Sequence, residues 1–128
     1  MPKISVEEHK QITKWAAECA HHVLHFFEQC SDDNRPRKAI EAALSWINGK
    51  IDVSEARKCA FAAHQAARQV ENNKAKAAAR SAGHAAATPH VVKHAKYASK
   101  YALEAADDIN EELRWQLHIF PDNCLDLE

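Results

Sequence analysis

Only two glycines and four prolines occur in the 128-residue chain. No GxSxG elbow and no glycine-rich phosphate loop can be assembled from them, which removes two common catalytic frameworks. Cysteine is sparse as well: Cys19, Cys30, Cys59 and Cys124 are scattered without a CxxC pair. They read as reduced thiols, two of them small core residues, and neither a disulfide frame nor a zinc knuckle follows from their spacing. No apolar run approaches a membrane span, and Glu7, Glu8 and His9 stand where a secretion signal would be apolar. These absences point to a cytoplasmic protein without a membrane partner. A charge excess is also missing, with 17 basic against 18 acidic residues and a net charge of -1. That balance lacks the footprint of a nucleic-acid binder and leaves room only for a local basic patch.

What is present is alanine, which loses no side-chain entropy on entering a helix, and no segment alternates with a strand's period of two. The length suits one domain with its own core, needing no disulfide or metal. Ser5 with Glu8 forms a capping-box pattern, followed by Ile12, Trp15, Ala16, Cys19, Val23, Phe26 and Phe27 at three- and four-residue steps. After "CSDDNRPRK", with Asp33 or Asn34 as cap and Pro36 in the first turn, a second helix is expected from Arg35 to Asn48, stopped by Gly49. A third starts at Asp52 or Ser54 and carries a small-residue stripe, Ala56, Ala60, Ala63, Ala67 and Val70. Asn72 and Asn73 end it, and "KAKAAARSAGHAAA" forms the fourth. Thr88 before Pro89 repeats the cap-plus-proline pattern, so a fifth helix is expected to begin there and run as far as Asp107. A continuation or sixth helix is built on Ile109, Leu113 and Leu117. The expected architecture is an all-α, single-domain bundle of five or six antiparallel helices with Ala-rich packing faces. Residues 1–120 form the domain and 121–128 a short acidic tail.

Histidine supplies most of the chemical possibilities. In "GHAAATPHVVKHAKYASKY", His90 and His94 lie four apart, the spacing by which two imidazoles on one helix face can bind a metal. HExxH is absent, because Val91 follows His90 and the usual general base is missing. His64 and His84 could add nitrogens if their helices pack side by side; "ARKCAFAAHQAAR" and "AAARSAGHAAAT" align so that His64 falls on His84 and Ala63 on Gly83. Continuing the face gives His90, His94, Tyr97 and Tyr101, while Lys93, Lys96 and Lys100 fall elsewhere. That stripe suits either half-buried side chains with solvated polar tips or a surface recognising a partner. His21, His22 and His25 have alanine, leucine and phenylalanine as sequence neighbours and read as structural. Asp32 with Asp33 and Asp107 with Asp108 read as helix-end acids rather than a catalytic pair. Asp33, Arg35 and Arg37, around Pro36, could tie the turn to another helix through a bidentate carboxylate contact or form an exposed docking site.

The stretches "KWAAECAHHVLHFFE", "DDNRPRKAIEAALSWINGKI", "SEARKCAFAAHQAAR" and "AGHAAATPHVVKHAKYASKYALEA" resemble the immunity proteins of the immunity-protein-five-like family, helical bacterial proteins of polymorphic toxin systems. The likeness spans Trp15 to Ala106; its most specific elements are the Asp33–Arg37 turn and the glycine-histidine-alanine segment leading to His90 and His94. Pro89 departs from the helix-compatible residue the family pattern favours, leaving separate helices or one kinked helix as alternatives. The resemblance implies a non-enzymatic cytoplasmic protein that neutralises a cognate protein toxin by stoichiometric binding, without cofactor. Candidate partner-binding residues are Asp33, Arg35, Arg37, His90, His94, Tyr97 and Tyr101. The rival readings are a metal-binding protein or metal-dependent enzyme using His64, His84, His90 and His94, and a helical interaction module without a toxin partner. The Ala-rich faces would also suit a homodimer.

Overall fold

A computed structural model describes residues 4–122 and contains six helices: α1 (Val6–Glu28), α2 (Arg35–Ile47), α3 (Val53–Arg68), α4 (Asn73–Ala87), α5 (His94–Ala105) and α6 (Ile109–Ile119). They form one all-α bundle, with no strand among the described residues. None of the helices is long and apolar enough to cross a membrane. Most of the expected acidic tail, including Cys124, lies outside the described residues.

Caps set most of the boundaries. The Ser5 hydroxyl accepts from the Glu8 amide while the Glu8 carboxylate accepts from the Ser5 amide, completing the expected capping box. Asp52 rather than Ser54 caps α3, and Asn72 and Asp108 cap α4 and α6, each side chain accepting an amide three residues on. Gly49, at φ 72, ends α2 in the left-handed region where a side chain would be strained.

Bulk in the core comes chiefly from α1, whose Ile12, Trp15, Val23, Leu24 and Phe27 are buried. The remaining helices meet it largely through alanine, seven of them buried on α4 alone: Ala75, Ala77, Ala78, Ala79, Ala82, Ala85 and Ala86. Such small faces let helix axes approach closely, and α4 is consequently wedged among α1, α2, α3 and α5. Past Asn73 no residue of α4 is fully exposed; Lys76, Arg80, His84 and Ala87 form the ridge that reaches solvent. Helices α3 and α5 pack along opposite sides of this ridge and make no substantial contact with each other.

Two expectations require correction. Thr88 and Pro89 do not open α5: Thr88 is the αR cap ending α4, its hydroxyl donates back to the His84 carbonyl, and α5 begins at His94. The αR backbone of Thr88, φ -60 and ψ -37, continues the α4 turn instead of taking the extended conformation from which a residue caps a following helix. Helices α4 and α5 are therefore separate, α5 ends at Ala105 rather than Asp107, and His90 lies in the connection.

The second correction is the rotation of α6. Ile109, Leu113 and Leu117, the apolar residues on which the expected sixth helix is built, are 57%, 39% and 64% exposed, whereas Glu112 and Gln116 are buried at 7% and 0%. Polar pairing explains this. Glu112 accepts from His22 Nδ1 at 2.8 Å, and the Gln116 amide both accepts from the Ser99 hydroxyl and donates to the Ser99 carbonyl. The Trp15 indole N–H donates to the Gln116 carbonyl at 2.8 Å, and the Trp15 ring meets Phe120 edge-on. Turning the leucines inward would break every one of these bonds and strand Glu112 without its imidazole.

Candidate functional site

The His–Tyr cluster is built from three helices around His84 of α4. From α3 comes His64, its ring edge-on to His84 with centroids 4.8 Å apart; from α5 come His94, Tyr97 and Tyr101. His84 stacks parallel to Tyr101 at 5.4 Å and 4°, and its Nδ1 lies 2.9 Å from Nδ1 of His94. One of those nitrogens carries the proton and the other accepts it, so the two rings hold opposite tautomers.

Local sequence makes this packing possible. A Cβ on Gly83 would lie 2.6 Å from Cε1, 2.7 Å from Nε2 and 2.9 Å from Nδ1 of His64, closer than real side chains approach. Glycine inside a helix costs up to about 1 kcal/mol relative to alanine, and here it frees the space that the His64 ring occupies. The sequence echo that laid His64 on His84 thus corresponds to two neighbouring helices whose imidazoles touch.

Burial and surrounding positive charge keep the rings neutral. Burial, followed by His64, His94 and Arg80, pushes His84 down to about 3. His64 is lowered by burial and then by Arg68, Arg80 and His94; His94 is lowered by burial and then by His90. No carboxylate contacts these rings among the described residues, so the Asp/Glu partner that commonly orients a catalytic imidazole is absent from the cluster.

Of the residues singled out in the sequence, His64, His84, His94, Tyr97 and Tyr101 come together. His90 does not continue their helical face; from the α4–α5 connection it lines a small cavity of about 120 Å³ with Arg57, Ala60, Phe61, His64, Ala87 and His94. Among the described residues, no three or more His, Cys, Asp or Glu side chains are arranged to hold one metal ion. The close His84–His94 nitrogens are joined by a hydrogen bond.

Asp33 lies in the α1–α2 connection and Arg35 and Arg37 in the first turn of α2, where their charges are met within the chain. Both Asp33 oxygens accept from the Arg35 guanidinium, whose Nη2 also donates to Gln69, the cap that follows α3, at 2.7 Å. Arg37 grips Glu28 at the end of α1 through two bonds of 2.7 and 2.8 Å. The expected bidentate tie between helices is thus present, made by Arg37. Arg35 lowers the carboxyl of Asp33 and Arg37 that of Glu28, chiefly through these hydrogen bonds. Among the acid pairs, Asp108 caps α6 and Asp107 pairs with Lys74, whose ammonium also lies 5.2 Å from the Phe26 ring centroid.

The pairing of His22 was not legible in its sequence neighbours. It bonds Glu112 from 90 residues away and stacks on Trp115, centroids 3.6 Å apart. Cys19 lies buried nearby, its thiol pushed up by burial and by Glu112; Cys59 is half-buried and Cys30 exposed.

No curated protein and no solved structure is significantly similar to the chain. A family relationship is nevertheless found, reaching well beyond the Trp15–Ala106 stretch that first carried the resemblance. Over residues 2–123 the chain matches the sequence model described as Imm-5 like putative immunity protein, and it belongs to that family.

Proposed function

We propose that the protein is a bacterial immunity protein that neutralises a cognate protein toxin in the cytoplasm by stoichiometric binding, without turnover and without a cofactor. The family match over residues 2–123 carries this reading. The site is compatible with it: rigid aromatic and imidazole groups reach solvent between α3 and α5, and their neutral rings lack the carboxylate partner a proton-transfer catalyst would use. His90, His94, Tyr97 and Tyr101 are the proposed contact residues in this region, with Asp33, Arg35 and Arg37 as a second contact candidate at the turn. The partner is a protein toxin; neither nucleic acid nor membrane is required.

Co-expression with the toxin domain encoded beside the gene tests the proposal. Protected growth, with the two proteins co-purifying, is the expected result. Continued killing in cells that accumulate the folded protein would remove the reading.

A further inference from the structure

The solvent-reaching ridge of α4, Lys76, Arg80, His84 and Ala87, floors a groove between α3 and α5. At 1.5 Å per residue the floor is about 16 Å long, the length of about five residues of extended chain. His64 meets His84 from the α3 side and Tyr97 and Tyr101 meet it from the α5 side, with exposed Arg68 one turn after His64 and Lys100 beside Tyr101. The cations here rest on rings: Arg80 lies 5.9 Å and Lys100 5.8 Å from the Tyr101 centroid, while Arg57 lies 5.8 Å from that of Phe61. None of the ion pairs among the described residues includes Arg57, Arg68, Arg80, Lys96 or Lys100.

The sequence explains why these charges lack carboxylate partners among the described residues. Between Ala56 and Leu103 the chain carries nine lysines and arginines against one acid, Glu71, whereas residues 104–128 carry eight acids and only Arg114 as a base. The near-zero net charge therefore conceals two oppositely charged regions. Arg68 and Arg80 also help to hold the groove's histidines neutral, so positive potential reaches its floor.

We propose that this groove docks an acidic segment of the toxin, its Asp and Glu carboxylates meeting Arg68, Arg80 and Lys100 while its apolar parts lie on Tyr97 and Tyr101. The inference rests on the toxin-binding reading above and adds the chemistry of the bound surface. Charge complementarity supports it, since uncompensated arginines beside aromatic rings form strong contacts with carboxylates once desolvated. A short acidic segment suits the groove better than a long polyanion, which would also meet the acidic α6 end of the molecule.

The test is a double charge reversal, Arg68→Glu with Lys100→Glu, at two exposed positions. Titration calorimetry against the purified toxin should show affinity reduced by about 10-fold or more, with wild-type affinity falling steeply as salt is raised. Arg114→Glu on α6 serves as a control and should bind as wild type does. Equal affinity for wild type and the double variant would overturn the groove assignment while leaving immunity by binding intact. Should wild type bind no toxin, the functional reading fails, and anisotropy with a fluorescein-labelled poly-glutamate peptide judges the groove separately. Peptide binding abolished by the reversal supports the inference. Tighter binding of a single-stranded oligonucleotide of equal charge, or binding of neither probe, refutes it.

Discussion

Gly83→Ala should destabilise the protein, although glycine to alanine inside a helix ordinarily stabilises by about 0.5–1 kcal/mol. The added methyl would lie 2.6–2.9 Å from three atoms of the His64 ring. Two responses are open. The helices can separate, which loosens the alanine-lined contact between α3 and α4, or His64 can swing into solvent. The second is cheaper: it gives up an edge-on ring contact worth about 0.5–1.5 kcal/mol together with the burial of part of the imidazole. Subtracting the propensity gain leaves a net loss of about 1 kcal/mol, or roughly 2–5 °C in Tm for a domain of this size. A double-mutant cycle isolates the cause. With His64→Ala as background the obstacle is gone, so Gly83→Ala should become stabilising by about 0.5–1 kcal/mol, giving a coupling of about 1.5–2 kcal/mol. Urea denaturation followed by circular dichroism measures all four proteins. Equal stabilisation in both backgrounds would refute the view that Gly83 exists to admit His64.

Three further outcomes follow from the same geometry. His64, His84 and His94 all have folded values below their ordinary 6.5. Below about pH 6.5 the unfolded chain therefore binds more protons than the folded one, and stability should fall as the pH is lowered, more through His64 and His84 than through the more exposed and better-screened His94. For His84 the decline continues to about 3, and His84→Gln should flatten the pH dependence of the urea midpoint; an unchanged slope would contradict the assignment. His22→Ala removes the imidazole from buried Glu112 and should cost about 1–2 kcal/mol by the same denaturation assay; a neutral effect would show that this pair does not fix α6. Leu117→Ala should shift stability by no more than about 0.5 kcal/mol, against about 2–5 kcal/mol for Ile12→Ala. Comparable losses at the two positions would mean that the α6 stripe faces inward after all.

Most of the helix boundaries were legible because caps act locally: Ser5 with Glu8, the asparagine at position 72 and Gly49 mark ends through bonds or backbone angles within a few residues. Thr88 was misleading for the same reason. A threonine before a proline can open a helix from an extended backbone or close one from an αR backbone, and only the path of the chain after α4 decides which. The orientation of α6 was less accessible still. Its hydrophobic period points one way, but Glu112, Gln116 and Trp15 meet partners 17 to 101 residues distant, and those buried bonds outweigh the exposure of three aliphatic side chains. In the candidate site, the echo between His64 and His84 was visible as similarity, whereas their contact required Gly83 to be seen against His64. The polarity of the molecule was present in the residue order from the outset. Net charge concealed it, because the basic stretch from Ala56 and the acidic stretch from Glu104 cancel in the total.

The central claim, neutralisation by binding rather than by turnover, is tested most directly by titrating a fixed amount of purified toxin with this protein and following the toxin's own activity. Binding predicts a linear decline that ends at a fixed molar equivalence, with active toxin recovered when the complex is denatured and the toxin refolded alone. Complete and lasting inactivation by a small fraction of an equivalent would contradict the claim and identify the protein as an enzyme acting on the toxin.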